Sequence, residues 1–258
     1  MKEGKMDCKF FDVNIWIGKP MNDEKNISVT VEETMEKMSF LNIEKAIVWD
    51  ISQRDVHPQI GNEKLIKEIS NKEQFYGVLT LLPFQTDEIK IYSFKELKEK
   101  KIVGFNFFPK KHNFILSKIS FGEFLAELEN RKFPIFLDVM SGFSVDYRDV
   151  YSILSDFPKL TCILCNTGMW NTDRFTWPLL EKFPNVYLES SLLSLNEGSL
   201  EETVKKFGAE RIVFGSGFPE RYFESSIAQL THAKISKGDK EKIAYKNIER
   251  IIREIKYE

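Results

Sequence analysis

The chain has 258 residues, with 37 Lys+Arg against 39 Asp+Glu and a formal net charge of −2. That balance offers no basic surface for nucleic acid or an anionic membrane, and no apolar run approaches the ~20 residues of a membrane span. The first ten residues are charged and polar without the apolar core of a secretion signal, so a cytoplasmic protein is expected. A hydrophobic share of 42% suffices for one core.

In chain order, short apolar runs rich in Val, Ile, Phe, Tyr and Trp predict strands over residues 10–16, 46–49, 76–82, 103–107, 135–139, 161–165, 186–189 and 211–214. Amphipathic stretches between them predict helices over 31–38, 63–69, 94–99, 121–129, 147–154, 176–182, 200–207 and 241–255. Eight strand–helix units in this length give an α/β fold, a (β/α)8 TIM barrel, as a single domain over 1–258. A doubly wound open sheet is the alternative, disfavoured by the lack of a Gly-rich phosphate turn.

Cys8, Cys162 and Cys165 are too few and too uneven for a disulfide framework. Cys162 and Cys165 form a C-x-x-C, but on a strand residues three apart point to opposite faces, so packing is the expectation.

In such a barrel the C-terminal strand ends build the site. Alternation places Asp12, Asn14 and Trp16 on one face of the first strand. The later ends carry Asp50, Thr80, Asn106, Asp138, Asn166, Glu189 and Gly217.

Five segments carry a resemblance. Residues 211–219, RIVFGSGFP, are similar to R-I/L-L/V-F-G-S-D-Y/F-P, and 184–191, PNVYLESS, to P-N-V-Y-V/L-D-T-S. Residues 242–251, KIAYKNIERI, follow K-I-x-x-x-N-A-x-R-L; 133–138, FPIFLD, follow L-P-V/I-x-I/L-H; and 103–105, VGF, fit the family's G-V/I-K/R strand. In this order and spacing, residues 11–252 resemble the amidohydrolase-related family of metal-dependent hydrolases. The branch is that of aminocarboxymuconate semialdehyde decarboxylase and the pyrone dicarboxylate lactonases.

The resemblance implies a barrel whose cofactor is zinc or another divalent metal. The metal is held by His-x-His on strand one, a His or Lys at strand four or five, a His on strand six and an Asp on strand eight. At those positions this sequence has Asn14 and Trp16, Asp138, Asn166 and Gly217. Indole is a donor only and glycine has no side chain, so no metal is expected here. The strand-eight Asp, in the family also the proton acceptor for metal-bound water, is missing too.

Two readings stay open. In the first, the protein is a catalytically degenerate homologue binding a small-molecule ligand through Asn14, Trp16, Asn106, Asn166, Trp170, Gly217, His57 and Arg174. In the second, it is an active hydrolase or decarboxylase of a small carboxylated substrate, metal-free or with a rearranged site, using Asp138 and Glu189 as acid and base. Arg54, Arg174 and Arg221, in the loops after strands two, six and eight, would suit an acidic ligand. A homo-oligomer is compatible with either reading.

Overall fold

Local sequence starts the helices where capping chemistry is available. Thr30 opens α1 (Val31–Phe40) with a reciprocal box: its Oγ1 accepts from Glu33 N at 3.1 Å and its N–H donates to Glu33 Oε2 at 2.8 Å. Ser93 and Glu96 repeat the device for α4 (Phe94–Glu99). These residues belong to a computed structural model that describes residues 8–21, 27–140, 145–168, 173–193 and 198–258.

Eight parallel strands form one sheet in the order β1 to β8, each paired with the next. They are β1 (Phe10–Ile17), β2 (Ile43–Asp50), β3 (Phe75–Thr80), β4 (Ile102–Asn106), β5 (Ile135–Asp138), β6 (Cys162–Cys165), β7 (Val186–Glu189) and β8 (Ile212–Val213). The sheet closes on itself because the chain after β8 runs beside β1. Val13 N donates to Phe214 O, Gly217 N to Asn14 O and Trp16 N to Phe218 O, each at 3.0 Å. Around the strands lie α2 (Ser52–Asp55), α3 (Pro58–Ile69), α5 (Pro109–His112), α6 (Lys118–Arg131), α7 (Tyr147–Asp156), α8 (Thr176–Lys182), α9 (Ser199–Phe207), α10 (Phe223–His232), α11 (Lys237–Glu241) and α12 (Asn247–Arg253). No helix among the described residues is long and apolar enough to cross a membrane.

Four details depart from the periodicity reading. The pairing of β1 with β2 shifts register between Asp12 and Ile15, an irregularity that interrupts strict alternation. As a result Asp12 does not share a face with Asn14 and Trp16. Helix α10 was not predicted, although Phe223, Ile227 and Leu230 carry its i, i+4, i+7 stripe. The C-terminal helix is not one rod: a π-helical turn over Lys242–Lys246 separates α11 from α12. The predicted β8 is shorter than 211–214 because its partner, β1, is met instead by the irregular segment after Val213.

Aromatic packing holds one flank of the barrel. Phe105 meets Phe124 at 5.2 Å and Phe133 at 5.2 Å between ring centres, and Phe107 meets Phe121 at 5.1 Å. Each such pair adds about 0.5–1.5 kcal/mol beyond its buried area. Cys162 and Cys165 are buried and free, and burial pushes both thiols up from their usual range.

Candidate functional site

The C-terminal strand ends surround about 660 Å³ of empty space, open solvent at the mouth included. Its two sides differ in chemistry.

On the β6–β7–β8–β1 side a polar network is closed on itself. Asn14 Nδ2, from the irregular stretch of β1, donates to Asn166 Oδ1 at 3.0 Å and to Glu189 Oε2 at 2.9 Å. Asn166 follows β6 in the left-handed region, φ 57°, which asparagine tolerates better than most residues. That turn aims its backbone N–H at Glu189 Oε2, 3.1 Å away. Ser191 closes over the same carboxylate with its N–H and, at 2.9 Å, its hydroxyl. Gly215 leaves the room: a Cβ there would run into the Glu189 side chain.

Arg221 completes the network. Its Nη2 donates to Asn166 Oδ1 and, at 3.2 Å, to Ser191 Oγ, while Nε donates to Ser216 O at 3.2 Å. Nη1 makes no hydrogen bond among the described residues, and the side chain lines the cavity. The guanidinium lies where a side chain at position 217 would begin. Gly217 has φ +70°, and a Cβ built on it would coincide with Arg221 Nη2, Cζ and Nε. The residue type at 217 and the pose of Arg221 are therefore one feature.

Asp12 sits beneath this network, fully buried and off the cavity wall. Its Oδ1 accepts from Asn14 N at 2.9 Å and Ser216 N at 3.1 Å, while Oδ2 has no hydrogen-bond partner among the described residues. Burial, reinforced by the like charge of Glu189 and opposed by hydrogen bonds from Ser216 and Asn14, pushes its carboxyl up to about 7.

The opposite side is aromatic. Trp49 packs on Phe108 with ring centres 5.2 Å apart, and the Arg54 guanidinium lies 6.0 Å from the Trp49 ring while pairing with Asp55 at 2.8 Å. Trp16 lines the cavity and is buried, with an indole N–H that has no acceptor among the described residues. Asn106 and Asp138 reach the wall from the ends of β4 and β5; Asp138 Oδ1 accepts from Met140 N at 2.9 Å.

Of the residues proposed from sequence, Asn14, Trp16, Asn106, Asp138, Asn166 and Gly217 meet at this cavity. Glu189 does not reach it: its carboxylate is fully buried behind Asn14 and Asn166, so it is not paired with Asp138 across open space. His57 instead caps α3, its Nδ1 accepting from Gln59 N at 3.2 Å and its Nε2 lying 3.6 Å from Glu88. Arg174 is exposed and off the cavity wall. Trp170 lies outside the described residues. Arg221 is the residue the sequence undervalued. Its signal was the loss of the strand-eight Asp four residues upstream, which vacates the space a long cation can fill.

These side chains do not fit the family's metal. A catalytic zinc-type site needs about three N, S or O ligands and an open position. The Asn14 amide N–H groups are spent, the Trp16 indole cannot ligate, position 217 has no side chain and a permanent cation occupies its place. Among the described residues no group of three or more His, Cys, Asp or Glu is placed to hold an ion.

The barrel and its site place the chain among (β/α)8 proteins with their chemistry at the strand C-termini. It belongs to the amidohydrolase family, whose sequence model matches residues 51–253. No curated protein matches it. Among solved structures it is similar to an uncharacterised TIM-barrel protein from Bordetella bronchiseptica, with a TM-score of 0.71 and 17% identity over 95% of this chain and 99% of that one. A 5-carboxyvanillate decarboxylase from Novosphingobium aromaticivorans, complexed with manganese and 4-hydroxy-3-methoxy-5-nitrobenzoic acid, gives 0.72 and 13% over 97% of each chain. A Pseudomonas putida protein assigned as a 2-pyrone-4,6-dicarboxylic acid hydrolase gives 0.70 and 12% over 95% and 98%.

Proposed function

We propose that this protein is a metal-independent member of the family that binds a small planar carboxylate at the barrel mouth and has lost metal-dependent hydrolysis. The observation that carries this reading is the Arg221 guanidinium, held in the gap at Gly217 with Nη1 making no hydrogen bond among the described residues. A guanidinium is a permanent cation whose N–H groups suit a carboxylate, so it supplies in organic form the positive charge that a dication supplies elsewhere. Trp16, Trp49, Phe107 and Phe108 give the ligand ring flat apolar surface. The decarboxylase similar in fold holds a nitrobenzoic acid, a molecule of this shape and charge.

Calorimetric titration with benzoate tests the reading. Loss of a charge-assisted hydrogen bond costs about 1.5–3 kcal/mol, so Arg221→Met should weaken benzoate binding roughly 10- to 100-fold. Equal affinity in the two proteins would exclude Arg221 as the receptor.

A second reading, metal-free turnover of a carboxylated substrate, draws on Asp138, the one member of the predicted acid/base pair that lines the cavity. It requires that Asp138→Asn abolish turnover while the melting temperature stays put. A variant that retains turnover removes Asp138 from that role.

A further inference from the structure

Behind the aromatic wall, four buried side chains form a relay: Gln53 on α2, Asn62 on α3, Thr80 ending β3 and Asn106 ending β4. The β3 backbone fixes its first member. Asn62 Oδ1 accepts from Thr80 N at 2.9 Å, and Asn62 Nδ2 donates to Thr80 O at 2.9 Å. Gln53 is fixed in turn, because its Nε2 donates to Asn62 Oδ1 at 2.9 Å and to Val78 O at 3.0 Å. Gln53 Oε1 is then an acceptor, and it lies 3.2 Å from Thr80 Oγ1.

The same hydroxyl also touches Asn106 Oδ1. Thr80 thus faces two carbonyl oxygens with a single proton to give. In that arrangement one buried acceptor is starved, while the other end of the Asn106 amide faces the cavity that the residue lines. Turning the Asn106 amide through 180° keeps its outline and exchanges oxygen for nitrogen. The proton count then closes: Asn106 Nδ2 donates to Thr80 Oγ1, and the Thr80 proton goes to Gln53 Oε1. The outer end of the amide becomes a carbonyl oxygen facing the cavity.

We propose that Asn106 turns its carbonyl oxygen into the cavity and there selects a ligand that carries a hydroxyl or N–H donor. The inference rests on the planar-carboxylate reading above and adds a second functional group to the same ligand. Gln53, Asn62 and Thr80 act as positioning residues, since their hydrogen bonds decide which end of the amide the ligand meets.

Two measurements test it, one without ligand. In NMR spectra of the free protein, the Asn106 side-chain NH2 should show cross-peaks to the Thr80 β and γ protons and exchange slowly. An NH2 that exchanges at the solvent rate with no contact to Thr80 overturns the proton count. In calorimetry, 3- and 4-hydroxybenzoate are compared with 3- and 4-fluorobenzoate. At least one hydroxy isomer should bind about tenfold more tightly than its fluoro counterpart, the worth of one well-made hydrogen bond. Asn106→Leu should collapse that gap to about twofold or less. Equal affinities in the native protein overturn the selection even if the NMR result holds. Failure of benzoate and all four derivatives to bind removes the carboxylate reading and the selection together, and the NMR result then says separately whether the relay was assigned correctly.

Discussion

The two sides of the barrel mouth handle polar groups in opposite ways. Around β6, β7, β8 and β1, Asn14, Asn166, Glu189, Ser191 and Arg221 bind one another, so their polar groups are turned inward. Around β2 to β4 the wall is Trp49, Phe107 and Phe108, with Arg54 beside Trp49 and Asn106 held from behind. Polar groups on the first side are satisfied from within, whereas the second side presents aromatic rings to the cavity. On the proposed reading, the first side braces the fold and the second offers the surface that a ligand would meet.

The largest effect should come from breaking the braced side at its centre. Glu189→Ala removes a buried carboxylate that accepts from Asn14, Asn166 and Ser191, leaving several donors without an acceptor. Breaking such a buried network costs roughly 3–5 kcal/mol, so urea unfolding should show most of the fold's stability gone. A loss below about 1 kcal/mol would mean that water replaces the carboxylate and the brace is not structural.

Asp12 gives a pH signature on the same side. Its carboxyl is raised from 3.8 to about 7 in the folded state, chiefly by burial. The folded protein therefore holds a proton that the unfolded chain has already released between these values. The stabilisation from protonated Asp12 is complete below about pH 4 and disappears as pH rises through about 7, a total of up to about 4 kcal/mol. Asp12→Asn, which stays neutral throughout, should remove this decline. Urea unfolding of both proteins from pH 4 to 8 measures it, and identical pH profiles would show that Asp12 is ionised in the fold.

Restoring the family residue is expected to act more weakly. Gly217→Asp must expel the Arg221 guanidinium and adopt φ near +70°, a combination of overpacking and backbone strain worth about 1–3 kcal/mol. Adding Arg221→Ala to Gly217→Asp should recover the steric part, which a thermal melt of single and double variants resolves. Strictly additive losses would show that the two positions do not share space.

Much of this was legible from residue order alone. Eight strand–helix steps gave the barrel, and the motif spacing located Asn14, Asn166 and Gly217 at one end of it. Period-two logic failed at Asp12 because the β1–β2 register shifts there, a backbone irregularity that no residue type announces. Glu189 was placed at the correct strand end, but its distance from open space depended on side chains from β1, β6 and the loop after β8 closing over it. Arg174 and Arg221 look equivalent in a sequence, since each is an arginine in a loop after a strand. Only the Cβ-free position at Gly217 separates them, by giving Arg221 a place to fold back. The Gln53–Asn62–Thr80–Asn106 relay spans more than fifty residues of chain and becomes visible only when three consecutive strand ends are brought side by side.

On the proposed reading, the Arg221 guanidinium supplies here the positive charge that a divalent ion supplies in metal-bearing relatives. The most direct measurement is benzoate calorimetry on the native protein, first dialysed against chelator and then with manganese or zinc added back. The account predicts a single binding site whose affinity is the same to within about twofold under all conditions. Binding that vanishes on chelation and returns with the metal would contradict it.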